Sequence, residues 1–116
     1  RDLEHFWPNT EKAAQVLKRN VTPNDRILAE GGDSITLEIY NQIVYENVTG
    51  PFYFVYNDLQ GQNAYIQALH DGYFTFVELE GTNFEDEFLF QIESILVEDY
   101  SIIFNEDQVR IWQIKS

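Results

Sequence analysis

Arg26-Ile27-Leu28-Ala29-Glu30-Gly31-Gly32-Asp33-Ser34-Ile35-Thr36 is the stretch on which the reading of the fold turns. Arg26 to Glu30 is a short apolar run stopped abruptly by Gly31-Gly32, the pattern of a buried strand running into a tight turn. Asp33 and Ser34 then offer oxygen caps to a following helix, expected from Ser34 to about Glu46. Within that segment Ile35, Leu37 and Ile39 alternate as in a strand, while Leu37, Tyr40 and Val44 recur at helical spacing. Length and the cap decide for a helix. A strand, a glycine turn and a helix in this order open a parallel α/β unit.

The alternation continues in both directions. Upstream, Thr10 to Arg19 predicts a helix capped by Thr10, with Ala13, Ala14, Val16 and Leu17 on one face, after a lead-in of His5-Phe6-Trp7-Pro8-Asn9. Downstream, Gly50-Pro51 breaks the chain before Phe52-Tyr53-Phe54-Val55-Tyr56, an aromatic and β-branched run that predicts a strand ending at Asn57-Asp58. Gly61 to Leu69 repeats at helical spacing, and Asp71-Gly72 closes it with a residue able to take positive φ. Tyr73 to Leu79 is the third strand. After Glu80-Gly81-Thr82-Asn83 comes a helix on which Phe84, Phe88, Ile92, Ile95 and Leu96 share a face, with acids in its first turn to suit the helix dipole. Tyr100–Phe104 and Val109–Ile114 form an antiparallel hairpin across Asn105-Glu106-Asp107-Gln108. The expected fold is one α/β domain over residues 1–116: a three-layer, Rossmann-like sandwich whose mostly parallel sheet has about five strands, helices on both faces and the hairpin at one edge.

A chain of 116 residues has room for one core and not two. Its apolar content of 44% excludes disorder by composition. Seven basic residues face twenty acidic ones, a formal charge of -13 that repels phosphate backbones, so nucleic acid is not an expected partner. The absence of cysteine removes disulfides, thiolate metal sites and cysteine nucleophiles together. No run approaches the eighteen or so apolar residues that span a bilayer, and no leader pattern is present. The chain starts at Arg1 and contains no methionine, which points to a piece of a longer protein.

In parallel α/β sheets ligands sit beyond the carboxyl ends of the strands. Those ends put forward Glu30, Asp33, Ser34, Asn57 and Asp58 as ligand-binding candidates, with Glu80 at the third. Glu30, Asp33 and Asp58 are oxygen donors of the kind a hard cation or a sugar takes, but their spacing matches no calcium loop, and no metal is assigned. Gly31-Gly32 is neither a dinucleotide turn nor a phosphate loop, and no lysine follows it. Asp58 lacks the partners of a receiver-type phosphoacceptor. His70 stands before Asp71-Gly72, where it serves the end of a helix. Asn20-Val21-Thr22 and Asn47-Val48-Thr49 match the glycosylation acceptor pattern, which is too short to decide anything alone.

Gly32-Asp33-Ser34-Ile35-Thr36 after the first strand resembles the first block of the SGNH (GDSL) esterases, which implies Ser34 as nucleophile. No Asp-x-x-His block follows, and Gly61-Gln62-Asn63-Ala64 only half matches a Gly-x-Asn-Asp block. Capping of a helix by Asp33 or Ser34 is the simpler reading.

A longer resemblance runs through Phe6-Trp7-Pro8-Asn9-Thr10, Ala13-Ala14-Gln15-Val16-Leu17, Thr22 to Glu30, Asp71 to Thr82 and Val109 to Lys115. Together these segments resemble the soluble extracytoplasmic domain of polytopic GT-C glycosyltransferases of the dolichyl-phosphate-mannose protein mannosyltransferase type. The resemblance implies a non-catalytic domain on the extracytoplasmic face of a membrane, joined to the membrane part of the same polypeptide, holding no cofactor and assisting recognition of a glycan or protein acceptor. The family's catalytic acids belong to a loop of the membrane part, so no catalytic residue carries over. The alternatives are a small hydrolase using Ser34 and a stand-alone binding or interaction module.

Overall fold

Every residue of the third long apolar run, Phe76 to Leu79, is buried on whichever face it points to, because helices cover both sides of the sheet it belongs to. The computed structural model describes residues 10–116. In chain order the elements are α1 (Thr10–Asn20), β1 (Ile27–Ala29), α2 (Asp33–Ile39), a 3-10 turn (Tyr45–Asn47), β2 (Val48–Thr49), β3 (Val55–Tyr56), β4 (Leu59–Gln60), α3 (Gly61–His70), β5 (Phe76–Leu79), α4 (Asp86–Asp99), β6 (Tyr100–Glu106) and β7 (Val109–Ile114).

Five strands make the main sheet in the order β2-β1-β5-β7-β6, and β3 with β4 makes a separate two-stranded ribbon. One face carries Leu28, Val77, Leu79 and Trp112, packed under Leu69 of α3 and Phe88, Ile92 and Leu96 of α4. The other carries Ile27, Ala29, Phe76 and Ile111 against Ala13 and Leu17 of α1 and Ile35 and Ile39 of α2. The fold is thus mixed α/β with helices on both faces.

The expectation of a mostly parallel sheet is corrected. β1 pairs in parallel with β2 and β5, but β5 pairs antiparallel with β7, and β7 with β6. The terminal hairpin therefore supplies two of five strands, with β7 buried in the interior of the sheet. Its turn is made by Asp107 and Gln108, both at positive φ, which matches the twist of a two-residue hairpin loop.

Two further expectations change. The helix after Gly32 runs only from Asp33 to Ile39, and its buried residues are Ile35, Thr36 and Ile39; Leu37, Tyr40 and Val44 are exposed. Ile35, Ile39 and Ile43 recur every four residues and are buried, so the inward face was the β-branched one. The run Phe52–Tyr56 does not enter the main sheet. Val48 and Thr49 pair with Ile27 and Leu28 instead, and the chain leaves the sheet at Gly50-Pro51, where proline has no N–H for a ladder. Only Val55 and Tyr56 are strand, paired with Gln60 and Leu59. The helices α1, α3 and α4 and the terminal hairpin lie close to where periodicity places them, although Phe84 precedes α4 as a buried loop residue. The lead-in His5–Asn9, which includes part of the long resemblance, lies outside the described residues.

Candidate functional site

The parallel strands β1 and β5 end side by side, and each runs into a tight turn. Glu30 and Glu80 are the first residues past these ends, and Glu78 is the penultimate residue of β5. All three are buried, at 0%, 5% and 0% exposure respectively.

Glu30 does not face a ligand. Its Oε1 accepts the backbone N–H groups of Glu80 and Gly81 at 2.6 and 2.8 Å, and its Oε2 those of Asn83 and Phe84 at 2.9 and 2.7 Å. Successive N–H groups of the 80–84 turn thus form an anion-binding concavity, and the protein's own carboxylate fills it. Asn83 Nδ2 also donates to the Glu30 carbonyl at 3.0 Å.

Glu78 and Glu80 lie two residues apart on one face of the strand. Glu78 Oε1 accepts the Gly31 N–H at 2.9 Å, and Glu80 Oε2 accepts the Thr82 hydroxyl at 3.1 Å. Their other oxygens, Glu78 Oε2 and Glu80 Oε1, are buried without a hydrogen-bond donor. Burial holds the Glu78 carboxyl well above the usual carboxylate range, helped by the adjacent Glu80 carboxyl and the charge of Glu30, against the pull of the Gly31 N–H. An acid inside an otherwise apolar strand was the sequence signal for this group, and the candidate residues did not include Glu78.

The other candidates are placed elsewhere. Asp33 and Ser34 are exposed in the first turn of α2 and do not cap it as expected: Gly32 is the N-cap, without a side-chain cap hydrogen bond, and the Ser34 hydroxyl donates back to the Gly31 carbonyl at 2.9 Å. Asn57 and Asp58, both exposed and at positive φ, are the two central residues of the β3-β4 turn, outside the main sheet. Glu30 therefore shares its neighbourhood with Asp33 and Ser34 only through the Gly31-Gly32 turn, and not with Asn57 or Asp58. Among the described residues no group of three or more acids and histidines is arranged to hold a metal ion. His70 closes α3, on the side from which β5 starts; Ser34 follows the end of the parallel β1, at the opposite end of the sheet.

A pocket of about 280 Å³ opens beside the 80–84 turn. Tyr65 and Phe84 meet edge-on at 5.4 Å between ring centres, and Phe52 and Tyr53 stand at the rim, 84% and 79% exposed. Asn83, Gln60 and Gln62 bring amides, Glu85 brings one carboxylate, and no lysine, arginine or histidine lines the pocket. The Tyr65 hydroxyl donates to the Gly50 carbonyl at 2.7 Å, which ties α3 to the segment carrying Phe52; burial pushes that phenol up to about 12. A Cβ at Gly32 would reach Pro51 Cδ at 3.6 Å, so the turn after β1 runs close behind the segment that lines the rim, without lining the pocket itself.

No helix among the described residues is long and apolar enough to cross a membrane. Compared with protein-family models, curated proteins and solved structures, the chain has no significant match.

Proposed function

We propose that this chain is a non-catalytic recognition domain of a membrane glycosyltransferase that uses a lipid-phosphate sugar donor, and that it assists in binding the acceptor on the extracytoplasmic side. The observation that carries the recognition role is the lining of the pocket beside the 80–84 turn: exposed aromatic rings at the rim above buried ones, amides, one carboxylate and no cation. Aromatic faces stack on the apolar face of a pyranose ring, amides exchange hydrogen bonds with its hydroxyls, and a site without cations does not select phosphate. The volume suits a single sugar ring better than an extended chain.

The position of the pocket supports the same reading. The connections of the parallel strands support a Rossmann-like reading of that half of the sheet: the β1-to-β2 crossover uses α2 on one face, and the return to β5 uses α3 on the other. Such a reversal leaves a crevice at the carboxyl ends of β1 and β5, the usual ligand position of these sheets. Here Glu30 fills the innermost part of the crevice, and binding moves outward to the aromatic rim. The glycosyltransferase context rests on the sequence resemblance, and the membrane part of the same polypeptide is the partner it implies.

The test has two arms. NMR titration of the labelled domain with mannose-terminated oligosaccharides is expected to shift the amides of Phe52, Tyr53, Asn83 and Phe84, and Tyr53→Ala is expected to abolish those shifts; shifts spread over unrelated surfaces overturn the recognition site. Reading the gene upstream of Arg1 is expected to reveal several hydrophobic spans, and a cytosolic start overturns the glycosyltransferase context.

A further inference from the structure

Three buried carboxyls meet where β1 and β5 end, and the charge balance there is incomplete. Glu30 is satisfied as an anion by four backbone N–H groups. Glu78 and Glu80 together accept one N–H and one hydroxyl, and each keeps a buried oxygen with no donor. The ion pairs formed among the described residues do not reach them: Lys12 pairs with Glu106, Lys18 with Glu38 and Arg110 with Glu93. Arg110 borders the shallow depression into which Glu80 faces, together with Asp86 and Glu93, but its guanidinium is already held by Glu93 at 2.6 Å and the Gln108 carbonyl at 3.0 Å. On the side of α2 the nearest polar contribution is the Gly31 N–H.

We propose that Glu78 and Glu80 share a single proton in the folded domain, and that losing it loosens the turns that follow β1 and β5, the second of which lines the pocket. A proton between the two otherwise unpartnered oxygens turns one carboxyl into a donor and the other into its acceptor, which removes both unsatisfied atoms with one hydrogen bond. Two carboxylates forced to ionise side by side in a buried site repel each other, with Glu30 as a third negative charge close by. The burial and the neighbouring charges that hold the Glu78 carboxyl above the usual carboxylate range act in the same direction.

The pair sits where it can transmit this change. Glu78 holds the Gly31 N–H, and Glu80 is packed so tightly on Gly31 that a Cβ there would overlap its Oε1. At the adjoining Gly32 an added Cβ would reach Pro51 Cδ at 3.6 Å, so this turn passes close to the segment at the pocket rim. On the other side, the backbone N–H of Glu80 is the first of the four that Glu30 gathers, and the same turn presents Asn83 and Phe84 to the pocket. Repulsion between the two carboxylates therefore acts on both turns, and reaches the pocket through Asn83 and Phe84. The inference deepens the proposed recognition site by giving it a pH response, and it rests on that reading only for the meaning of the pocket.

The experiment reads the pair without any glycan, so its failure is distinct from failure of the recognition reading. Carboxyl-carbon NMR resonances of Glu78 and Glu80 are followed from pH 4 to 9 in the wild-type domain, together with the backbone amides of Gly31, Asn83 and Phe84. The expected result is a titration step of Glu78 lying above the ordinary glutamate range, which the Glu80 carboxyl carbon and the three amides follow at the same midpoint. In Glu78→Gln the amide replaces the shared proton as a donor to Glu80, and the joint step and the matching amide shifts are expected to vanish. Independent titration of both carboxyls in the ordinary range, or amides that ignore the step, overturns the proposal. The wild-type titration decides the matter even if the variant fails to fold.

Discussion

The carboxylate of Glu30 accepts the backbone N–H of Phe84 at 2.7 Å across 54 positions of sequence. That bond, with its three companions, fastens the end of β1 to the turn between β5 and α4 and sets Phe84 beside Tyr65 in the pocket. The strand-end acid is thus a clasp for the crevice and not a ligand within it.

Replacing Glu30 tests that role. Glu30→Ala leaves four N–H donors facing a void, and the domain is expected to lose on the order of 3–5 kcal/mol. Glu30→Gln keeps the shape but points an NH₂ group at two donors, for a loss of about 2 kcal/mol. Urea denaturation midpoints check both, and a loss below about 0.5 kcal/mol for the alanine variant contradicts the clasp.

The protonated state of Glu78 makes stability depend on pH. Its carboxyl is raised in the folded domain above its ordinary value of 4.5, so between that value and the folded one the native state holds a proton that the unfolded chain has released. Its contribution is complete below about pH 4.5 and is lost as pH rises through the folded value. Thermal midpoints of wild type and Glu78→Gln measured in parallel between pH 4 and 8 are expected to diverge, with the wild type declining relative to the variant as pH rises. Parallel curves contradict this. The comparison cancels the general self-repulsion of an acidic chain.

Gly31→Ala probes the same contact sterically. A Cβ at this position overlaps Glu80 Oε1 and comes within 3.0 Å of Ile35 Cγ1. A cost of about 1–3 kcal/mol is expected from overpacking. Because Glu80 provides the closest contact, Glu80→Ala in the same chain is expected to cancel part of that cost. Strict additivity of the two substitutions in a double-mutant cycle contradicts the proposed contact.

Tyr100→Phe removes the hydroxyl that donates to the buried Phe74 carbonyl and joins the start of β6 to the chain entering β5. The orphaned carbonyl is expected to cost about 1–3 kcal/mol, seen as a lower denaturation midpoint with the fold unchanged by circular dichroism. Burial pushes the Tyr100 phenol up to about 12, so its ultraviolet titration is expected to begin only in that range or with unfolding.

Ser34→Ala addresses the esterase-like block. The Ser34 hydroxyl is exposed and donates to the Gly31 carbonyl, so the substitution is expected to change stability by no more than about 1 kcal/mol. Wild type and variant are expected to hydrolyse p-nitrophenyl acetate equally, at the buffer rate; a loss of activity specific to the variant restores Ser34 as a nucleophile.

Much of the architecture was legible in the chain. Ala13, Ala14 and Leu17 mark the inward face of α1, Phe88, Ile92 and Leu96 that of α4, and Asn105 to Gln108 the hairpin connection, which the structure narrows to Asp107-Gln108, because each pattern lies within a few residues and answers to local geometry. The errors fall where local signals conflict. Phe52 to Tyr56 has strong strand propensity, yet the sheet accepted only Val48-Thr49, a pair too short to announce itself. Leu37 and Tyr40 satisfied the helical period, but the isoleucines one face away filled the core.

Local sequence thus settled α1, α3, most of α4 and the terminal hairpin, and put Glu30 and Glu80 at strand ends, since short-range periodicity and glycine turns depend on neighbours in the chain. Only the tertiary structure decided that Glu30 is consumed by the 80–84 turn, that Glu78 and Glu80 lie buried beside Gly31, and that Phe52 and Tyr53 stand exposed at the rim of a pocket. Those outcomes depend on hydrogen bonds and burial between segments about fifty residues apart, brought together when β1 and β5 pair in parallel.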